Sequence, residues 1–174
     1  AADELYEIRN GLTFPGAYAL MARSYISTYP GSDHREALSA IAVKNHAHAS
    51  VNPLAHFQST VDLQTAIDAP MVADPLNLYD SCPISDGAAA VVLAAPSAAP
   101  AGAAAPDVRI RGVGAASDHL ALQTRSCIHA TAATARAADQ AFTDAALTPD
   151  AVDVAEVHDC FTIAEVLALE ALGF

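Results

Sequence analysis

The fold class is decided by the stretch Val157-His158-Asp159-Cys160-Phe161, where a predicted strand turns into a predicted helix. The strand covers residues 152–157, and the helix that follows has apolar residues at helical spacing up to Gly173, a residue type that often ends helices. Upstream, residues 108–113 and 130–147 predict another strand and a long helix. Strand, helix and strand in this order predict a β-α-β unit with a right-handed crossover, and hence an α/β protein.

The preceding part of the chain is predicted to begin with helices and then to become irregular. Helices are expected over residues 15–29 and 32–49, and four prolines interrupt residues 53–86. Residues 88–94 form a continuous apolar run of strand length, as expected for a strand that is buried on both faces. Residues 96–106, rich in Ala, Pro and Gly, predict a linker.

The composition and charge exclude several classes of protein. The chain has 174 residues, of which 53% are apolar, so it is long enough to bury a sizeable core. Twenty acidic residues against eight basic ones give a net charge of -12, which disfavours binding to nucleic acid or to anionic membranes. The acids are scattered, which indicates either the acidic coat of a salt-loving organism or an ordinary protein of low pI.

No apolar run approaches the roughly 20 residues of a membrane span, and we expect a cytoplasmic protein. Because the chain lacks an initiator Met, we interpret it as a fragment.

The cysteines and histidines do not predict a metal site. The three cysteines are Cys82, Cys127 and Cys160. Their odd number and wide spacing fit neither a disulfide framework nor a thiolate zinc site, so free thiols are expected. His46 and His48 are two residues apart on a predicted helix and therefore face different ways, and His56 is read as a surface residue.

The turn between the predicted strand and the predicted helix is the candidate site. Ligands of open α/β sheets bind at the carboxyl ends of strands, which is where His158, Asp159 and Cys160 fall. A thiol near a helix N-terminus loses its proton more readily, and an imidazole can donate a hydrogen bond to a developing oxyanion. The plain alternative is a helix cap at Asp159, a core histidine and a small buried cysteine.

Three stretches carry a resemblance to a known family. The His-Asp-Cys-Phe run at residues 158–161 resembles the signature of thiolases of the sterol-carrier-protein-x type and of their archaeal relatives. Residues 43–48, with Lys-Asn-His, and residues 52–58, with Asn-Pro and Phe-Gln, are similar to that family's loop domain. Residues 82–90 are similar to its Cys-Pro-x-Ser-Asp-Gly-Ala-Ala-Ala segment. The order and spacing of these stretches agree with the family.

The resemblance implies a thiolase-like α/β fold with five layers in the order αβαβα and two similar halves, which this chain covers only in part. Residues 1–70 would be the later part of the CoA-binding loop domain, and residues 71–95 the last strand region of the first half. Residues 96–106 would be the linker, and residues 107–174 the start of the second half. The family's nucleophilic cysteine, Gly-His-Pro motif and Cys-x-Gly motif are not matched in this chain, which alone is expected to be inactive.

The resemblance also implies an activity and roles for three residues. The complete protein would be an acetyl-CoA C-acyltransferase that performs a Claisen condensation of two acetyl-CoA molecules or its thiolytic reverse. His158 would donate to the thioester oxygen, and Cys160 would move the alpha proton from a cavity that it shares with His158, although a Cys-x-Gly cysteine does this in other thiolases. Cys82 would line the substrate pocket. No metal and no permanently bound cofactor are expected, since coenzyme A thioesters are the substrates.

The partners and the alternative functions follow from the same resemblance. A homo-oligomer is expected, and a small OB-fold, zinc-ribbon protein and hydroxymethylglutaryl-CoA synthase are candidate partners. One alternative is a thiolase-like aldolase that cleaves a beta-hydroxyacyl-CoA with the OB-fold partner, and another is a nonenzymatic remnant that binds CoA or a partner. The candidate cations for the CoA phosphates are Arg9, Arg23, Arg35 and Lys44.

Overall fold

Two long helices form the first part of the fold. The computed structural model describes residues 3–95, 98 and 108–174. Helix α1 covers Phe14–Thr28 and helix α2 covers His34–Ser50, which confirms both predicted helices. The side chains of Thr13 and Asp33 cap them by accepting the backbone N–H three residues on, at 3.2 and 3.0 Å. A short 3-10 turn at Ile8–Asn10 precedes α1.

The predicted irregular segment contains short elements. Helix α3 covers Leu63–Ile67, and strands β1 (Met71–Ala73) and β2 (Leu76–Asn77) pair in antiparallel fashion. A 3-10 turn at Leu78–Asp80 follows directly, and its capping box involves the side chains of Asn77 and Asp80. These elements pack against α1 and α2 and bring the chain back towards its C-terminal helix.

The C-terminal part contributes two further helices. Helix α4 covers Ala132–Ala145, and helix α5 covers Thr162–Leu172 and ends at Gly173, whose φ of 92° favours glycine. Both predicted helices are confirmed. Helix α5 contacts α1, α2 and α4 and is therefore the central helix. None of the helices in the described ranges has the length and apolar character needed to cross a membrane.

The hydrophobic core lies where α1, α2 and α5 meet. Each of the three helices buries apolar side chains there, among them Met21, Leu38 and Leu167. The core cluster consists of Ala19, Met21, Ala22, Leu38, Leu76, Phe161, Ile163 and Leu167. Because Phe161 and Ile163 belong to this core, packing fixes the start of α5 and the turn before it.

The three longer predicted strands are not observed. Residues 88–94, 108–113 and 152–157 form no strand, and Val92, predicted to be buried on both faces, is 94% exposed. A strand needs a neighbour that takes up its backbone hydrogen bonds. Among the described residues none of the three segments pairs with another strand. Most of their apolar side chains are exposed, and the β-α-β unit is reduced to helices with extended connections.

The segment after residue 107 nevertheless has a defined place against α4. A Cβ on Gly112 would lie 2.0 Å from the carbonyl oxygen of Ala141, and one on Gly114 would lie 1.8 Å from that of Ala137. Such distances are possible only without a side chain, so the two glycines allow the backbone to run directly over the helix. The predicted linker, residues 96–106, lies outside the described residues apart from Ala98.

Candidate functional site

The turn before α5 is held by backbone pairing with a distant part of the chain. Ser81 and Phe161 form an isolated antiparallel bridge, and the backbone N–H of Cys82 donates to the carbonyl oxygen of Cys160 at 3.1 Å. Cys82 and Cys160 therefore lie opposite each other. The structure thus brings together two of the three residues that the sequence singles out.

A tyrosine completes the surroundings of Cys160. The ring of Tyr18, on α1, stacks on Phe161 with 4.5 Å between ring centroids. The pKa of the Tyr18 phenol is raised to about 12, first by burial and then by a hydrogen bond with Cys160 and the charge of Cys160. The phenol therefore stays protonated at neutral pH and is available as a hydrogen-bond donor to the Cys160 sulfur.

Cys82 lines a small cavity. Partial burial raises the pKa of its thiol, followed by the charges of Cys160 and Asp159. The cavity has a volume of about 230 Å³, and its walls include His46 and His56. A thiol with a raised pKa is mostly uncharged at neutral pH, which fits a wall residue better than a nucleophile.

His158 is exposed on the wall of a larger cavity. This cavity has a volume of about 890 Å³ and is also lined by Tyr18 and Arg125. Of the described residues, His158 lines it and Cys160 does not, while Cys82 lines the smaller cavity. Cys160 is near both through its contacts with Tyr18 and Cys82, so the three predicted residues lie around one turn but do not share one wall.

Asp159 does not cap α5, because the N-cap residue of that helix is Phe161. Its Oδ2 accepts a hydrogen bond from the Asn45 amide, which also donates to Glu165 at 3.2 Å. Lys44 Nζ lies 2.5 Å from Oε1 of Glu165.

The Asp159 Oδ1 atom is buried without a hydrogen-bond partner among the described residues. Burial raises the pKa of Asp159, and the charge of Glu165 raises it further, against the opposing effects of Lys44 and Asn45.

A second carboxylate fastens the other side of the turn. Asp80 has a fully buried side chain that accepts from Thr162 at 2.8 Å, from Arg35 Nη2 at 2.6 Å and from the backbone N–H of Asn77 at 2.7 Å. Arg35 also donates to the carbonyl oxygen of Pro75 at 3.0 Å. The network ties α2, β2 and the first turn of α5 together.

The predicted cations all pair with carboxylates. Arg9 pairs with Glu4, Arg23 with Asp74, Arg35 with Asp80 and Lys44 with Glu165. The Arg9 and Arg23 side chains are 65% and 56% exposed, and such surface pairs are weak. Arg35 and Lys44 hold the turn instead. The described residues contain no group of three or more His, Cys, Asp or Glu that could hold a metal ion.

The sequence alone does not identify two residues of the site. Tyr18 stands at helical spacing with the apolar residues of α1, and nothing in that spacing indicates that its hydroxyl reaches Cys160. Asn45 lies inside the Lys-Asn-His run, which indicates the family segment but not the hydrogen-bond partners of Asn45. Helix periodicity shows which face of a helix is buried and does not show which polar group lies opposite.

Comparison with known proteins identifies similar sequences over the whole chain. Residues 114–174 match the family model described as "Thiolase C-terminal domain-like". The chain is 44% identical over its full length to an acetyl-CoA acetyltransferase of Methanothermobacter thermautotrophicus, of which it covers 45%, and 38% identical to one of Methanocaldococcus jannaschii, of which it covers 44%. It is 32% identical to sterol carrier protein 2 of Gallus gallus, with 97% of this chain and 31% of that protein aligned.

A solved structure has the same fold. The chain superposes on the "Ltp2-ChsH2(DUF35) aldolase" with a TM-score of 0.81 and 23% identity, over 99% of this chain and 48% of that one. Together with the match to the thiolase family model, this shows a thiolase-like fold, as the sequence predicts. The chain spans less than half the length of each of the proteins compared here.

Proposed function

Because this chain belongs to the thiolase family, we propose that the complete protein is an acetyl-CoA C-acyltransferase. It would join two acetyl-CoA molecules to acetoacetyl-CoA and free CoA, or catalyse the thiolytic reverse. The observation that carries this proposal is the turn at residues 157–161, which lies beside a cavity of about 890 Å³. The archaeal relatives with the name acetyl-CoA acetyltransferase align with the whole chain and support this choice.

The reaction needs a carbon nucleophile made from acetyl-CoA. In the proposed condensation a base removes an alpha proton, and the resulting carbanion attacks an acetyl group held as a thioester on a cysteine. The new carbon–carbon bond forms as the bond from the acetyl carbon to that cysteine sulfur breaks. We expect that cysteine outside this chain, because none of its three cysteines matches the family position.

His158 is proposed to stabilise the negative charge on the thioester oxygen. Its imidazole is exposed at the cavity wall, where an N–H can donate to that oxygen. A hydrogen-bond donor of this kind typically contributes about 3 kcal/mol to transition-state stabilisation.

Cys160 is proposed to remove and return the alpha proton. Its sulfur is within hydrogen-bonding contact of the Tyr18 hydroxyl, which can donate to it during the proton transfer. Cys82, which lies opposite Cys160, is proposed as a wall residue close to the reactive end of coenzyme A. The exposed Arg9 and Arg23 are the candidates for the CoA phosphates, because Arg35 and Lys44 hold the turn.

The partners remain part of this proposal. We expect a homo-oligomer, as the family resemblance implies. A small OB-fold, zinc-ribbon protein would be a second partner, and hydroxymethylglutaryl-CoA synthase would take up acetoacetyl-CoA as it forms. Coenzyme A thioesters are the proposed substrates, without a permanently bound cofactor.

The direct test is an assay of the complete protein in high salt with acetoacetyl-CoA and free CoA. Thiolysis should consume both and release two acetyl-CoA molecules for each acetoacetyl-CoA. Cleavage of a beta-hydroxyacyl-CoA without consumption of free CoA would instead identify an aldolase. Binding of CoA without either reaction would overturn the enzymatic proposal in favour of a binding protein.

A further inference from the structure

Side chains join two of the stretches that carry the family resemblance. Asn45, in the Lys-Asn-His stretch on α2, donates hydrogen bonds to Oδ2 of Asp159 and, over 3.2 Å, to Oε2 of Glu165 on α5. Asp159 lies between His158 and Cys160 in the chain. The contact of Asn45 therefore reaches the turn on which the proposed chemistry depends.

The charges around Asn45 suit an amide at this position. Asp159 and Glu165 bring two carboxylates, whereas Lys44 brings one ammonium group, which lies 2.5 Å from Glu165. An amide nitrogen has two N–H groups and can serve both carboxylates at once. A carboxylate at position 45 would donate to neither of them and would add a third negative charge to a partly buried cluster.

Asp159 also depends on Asn45 for its orientation. Its Oδ1 atom is buried without a hydrogen-bond partner in the described part of the chain, while its Oδ2 atom accepts from Asn45. Among the described residues the amide of Asn45 is thus the group that holds this carboxylate. The neighbouring Asp80 network fixes the start of α5 through Thr162, one turn further on.

We infer that Asn45 is a positioning residue that orients the turn at residues 157–161 through Asp159, and so places the Cys160 thiol and the His158 imidazole. The effect of Asn45 on catalysis rests on the proposed function. Its effect on the position of the Cys160 thiol is independent of that function, because it is a property of the folded turn. The two effects can therefore be tested separately.

The test uses the complete protein with the variants Asn45→Asp, Asp159→Asn and the double variant. Two quantities are measured: the turnover of acetoacetyl-CoA thiolysis, and the rate at which iodoacetamide alkylates Cys160, followed on its peptide by mass spectrometry. Asn45→Asp should lower the turnover and alter the alkylation rate of Cys160, each by about tenfold or more, because the charge-assisted hydrogen bonds to Asp159 and Glu165 are lost. Asp159→Asn keeps an amide oxygen that accepts from Asn45, so its effect should stay within about threefold.

The double variant is the decisive arm. It exchanges donor and acceptor, since the amide at position 159 can donate to the carboxylate at position 45, and it restores the original number of carboxylates. Both quantities should recover by at least about threefold relative to Asn45→Asp, although not fully to the wild type, because a carboxylate at position 45 cannot donate to Glu165. Asn10→Asp is the matched control. Asn10 is exposed and, like Asn45, donates a hydrogen bond through its amide, in this case to the Tyr6 carbonyl oxygen at 2.6 Å. The substitution therefore adds the same charge away from the turn.

The outcomes separate the inference from the proposed function. If the double variant is as impaired as Asn45→Asp, or if Asn45→Asp behaves like Asn10→Asp, Asn45 does not position the turn. If Asn45→Asp alone does not fold, recovery of folded protein in the double variant supports the pairing. A wild type without thiolase activity overturns the proposed function alone, since the alkylation rates still report on Asn45.

Discussion

The backbone N–H of Cys82 donates a 3.1 Å hydrogen bond to the carbonyl oxygen of Cys160. The same pairing places Ser81 opposite Phe161, and the Thr162 hydroxyl donates to Asp80 at 2.8 Å. Main-chain and side-chain bonds therefore attach the candidate turn to a segment that is distant in the sequence. The position of the turn depends on tertiary structure and not on α5 alone.

Cys160→Ala is expected to abolish proton exchange at the acetyl methyl group of acetyl-CoA in the complete protein. The thiol is the proposed base, and the general base of such a step contributes about 100-fold or more. Exchange is measured by NMR in D₂O. The matched control is Cys127→Ser, since Cys127 contacts His129 away from the turn. Retained exchange in Cys160→Ala would assign the proton transfer to another residue.

His158→Ala is expected to lower turnover in acetoacetyl-CoA thiolysis by about 100-fold or more, because a donor to the thioester oxygen is lost. Steady-state kinetics with varied acetoacetyl-CoA check this. His119→Ala, which removes an exposed imidazole elsewhere, should leave turnover unchanged. Turnover at the wild-type level in His158→Ala would disprove the proposed role of the imidazole.

Asp80→Ala is expected to lower the free energy of unfolding by about 3–5 kcal/mol, because it leaves Arg35 without its buried partner. The change also removes the acceptor of Thr162. Urea unfolding of the complete protein measures the difference. Asp62→Ala removes an exposed helix cap and should have a much smaller effect. Equal effects of the two changes would show that the buried network adds no particular stability.

Gly114→Ala is expected to destabilise the packing of residues 108–115 on α4. The added Cβ would lie 1.8 Å from the backbone oxygen of Ala137, and a clash of this kind costs about 1–3 kcal/mol or more. Gly87→Ala is the control, because nothing lies within 4 Å of its Cβ position. Thermal unfolding should show a lower midpoint for Gly114→Ala only. An unchanged midpoint would mean that this segment does not lie on α4.

Asp159→Asn is expected to stabilise the fold at neutral pH and not in acid. Burial raises the pKa of Asp159, so the native state binds its proton more tightly than the unfolded state does. As pH rises above the ordinary value of 3.8, ionisation of this carboxyl therefore costs native stability. The amide removes that cost, and the gain should vanish as pH falls below 3.8. Urea midpoints measured across this range test the sign, and a gain that is independent of pH would contradict it.

The helices were predictable because their signals are local. Thr13 and Asp33 cap α1 and α2, and Gly173 ends α5, as their residue types indicate. The apolar run at residues 88–94 predicts a buried strand, whereas the structure leaves it exposed. An apolar pattern indicates only that a segment prefers to be buried. A strand forms only when another strand pairs with its backbone N–H and C=O groups.

For the site, the sequence by itself determined which residues stand at the turn, their chemical types and the family to which they point. It did not determine that Cys82 lies opposite Cys160, that Tyr18 reaches the Cys160 thiol, or that Asn45 holds Asp159. Helix caps act over a few residues and can be read along the chain. Contacts between distant residues depend on how the helices pack in three dimensions, and only the tertiary structure decided them.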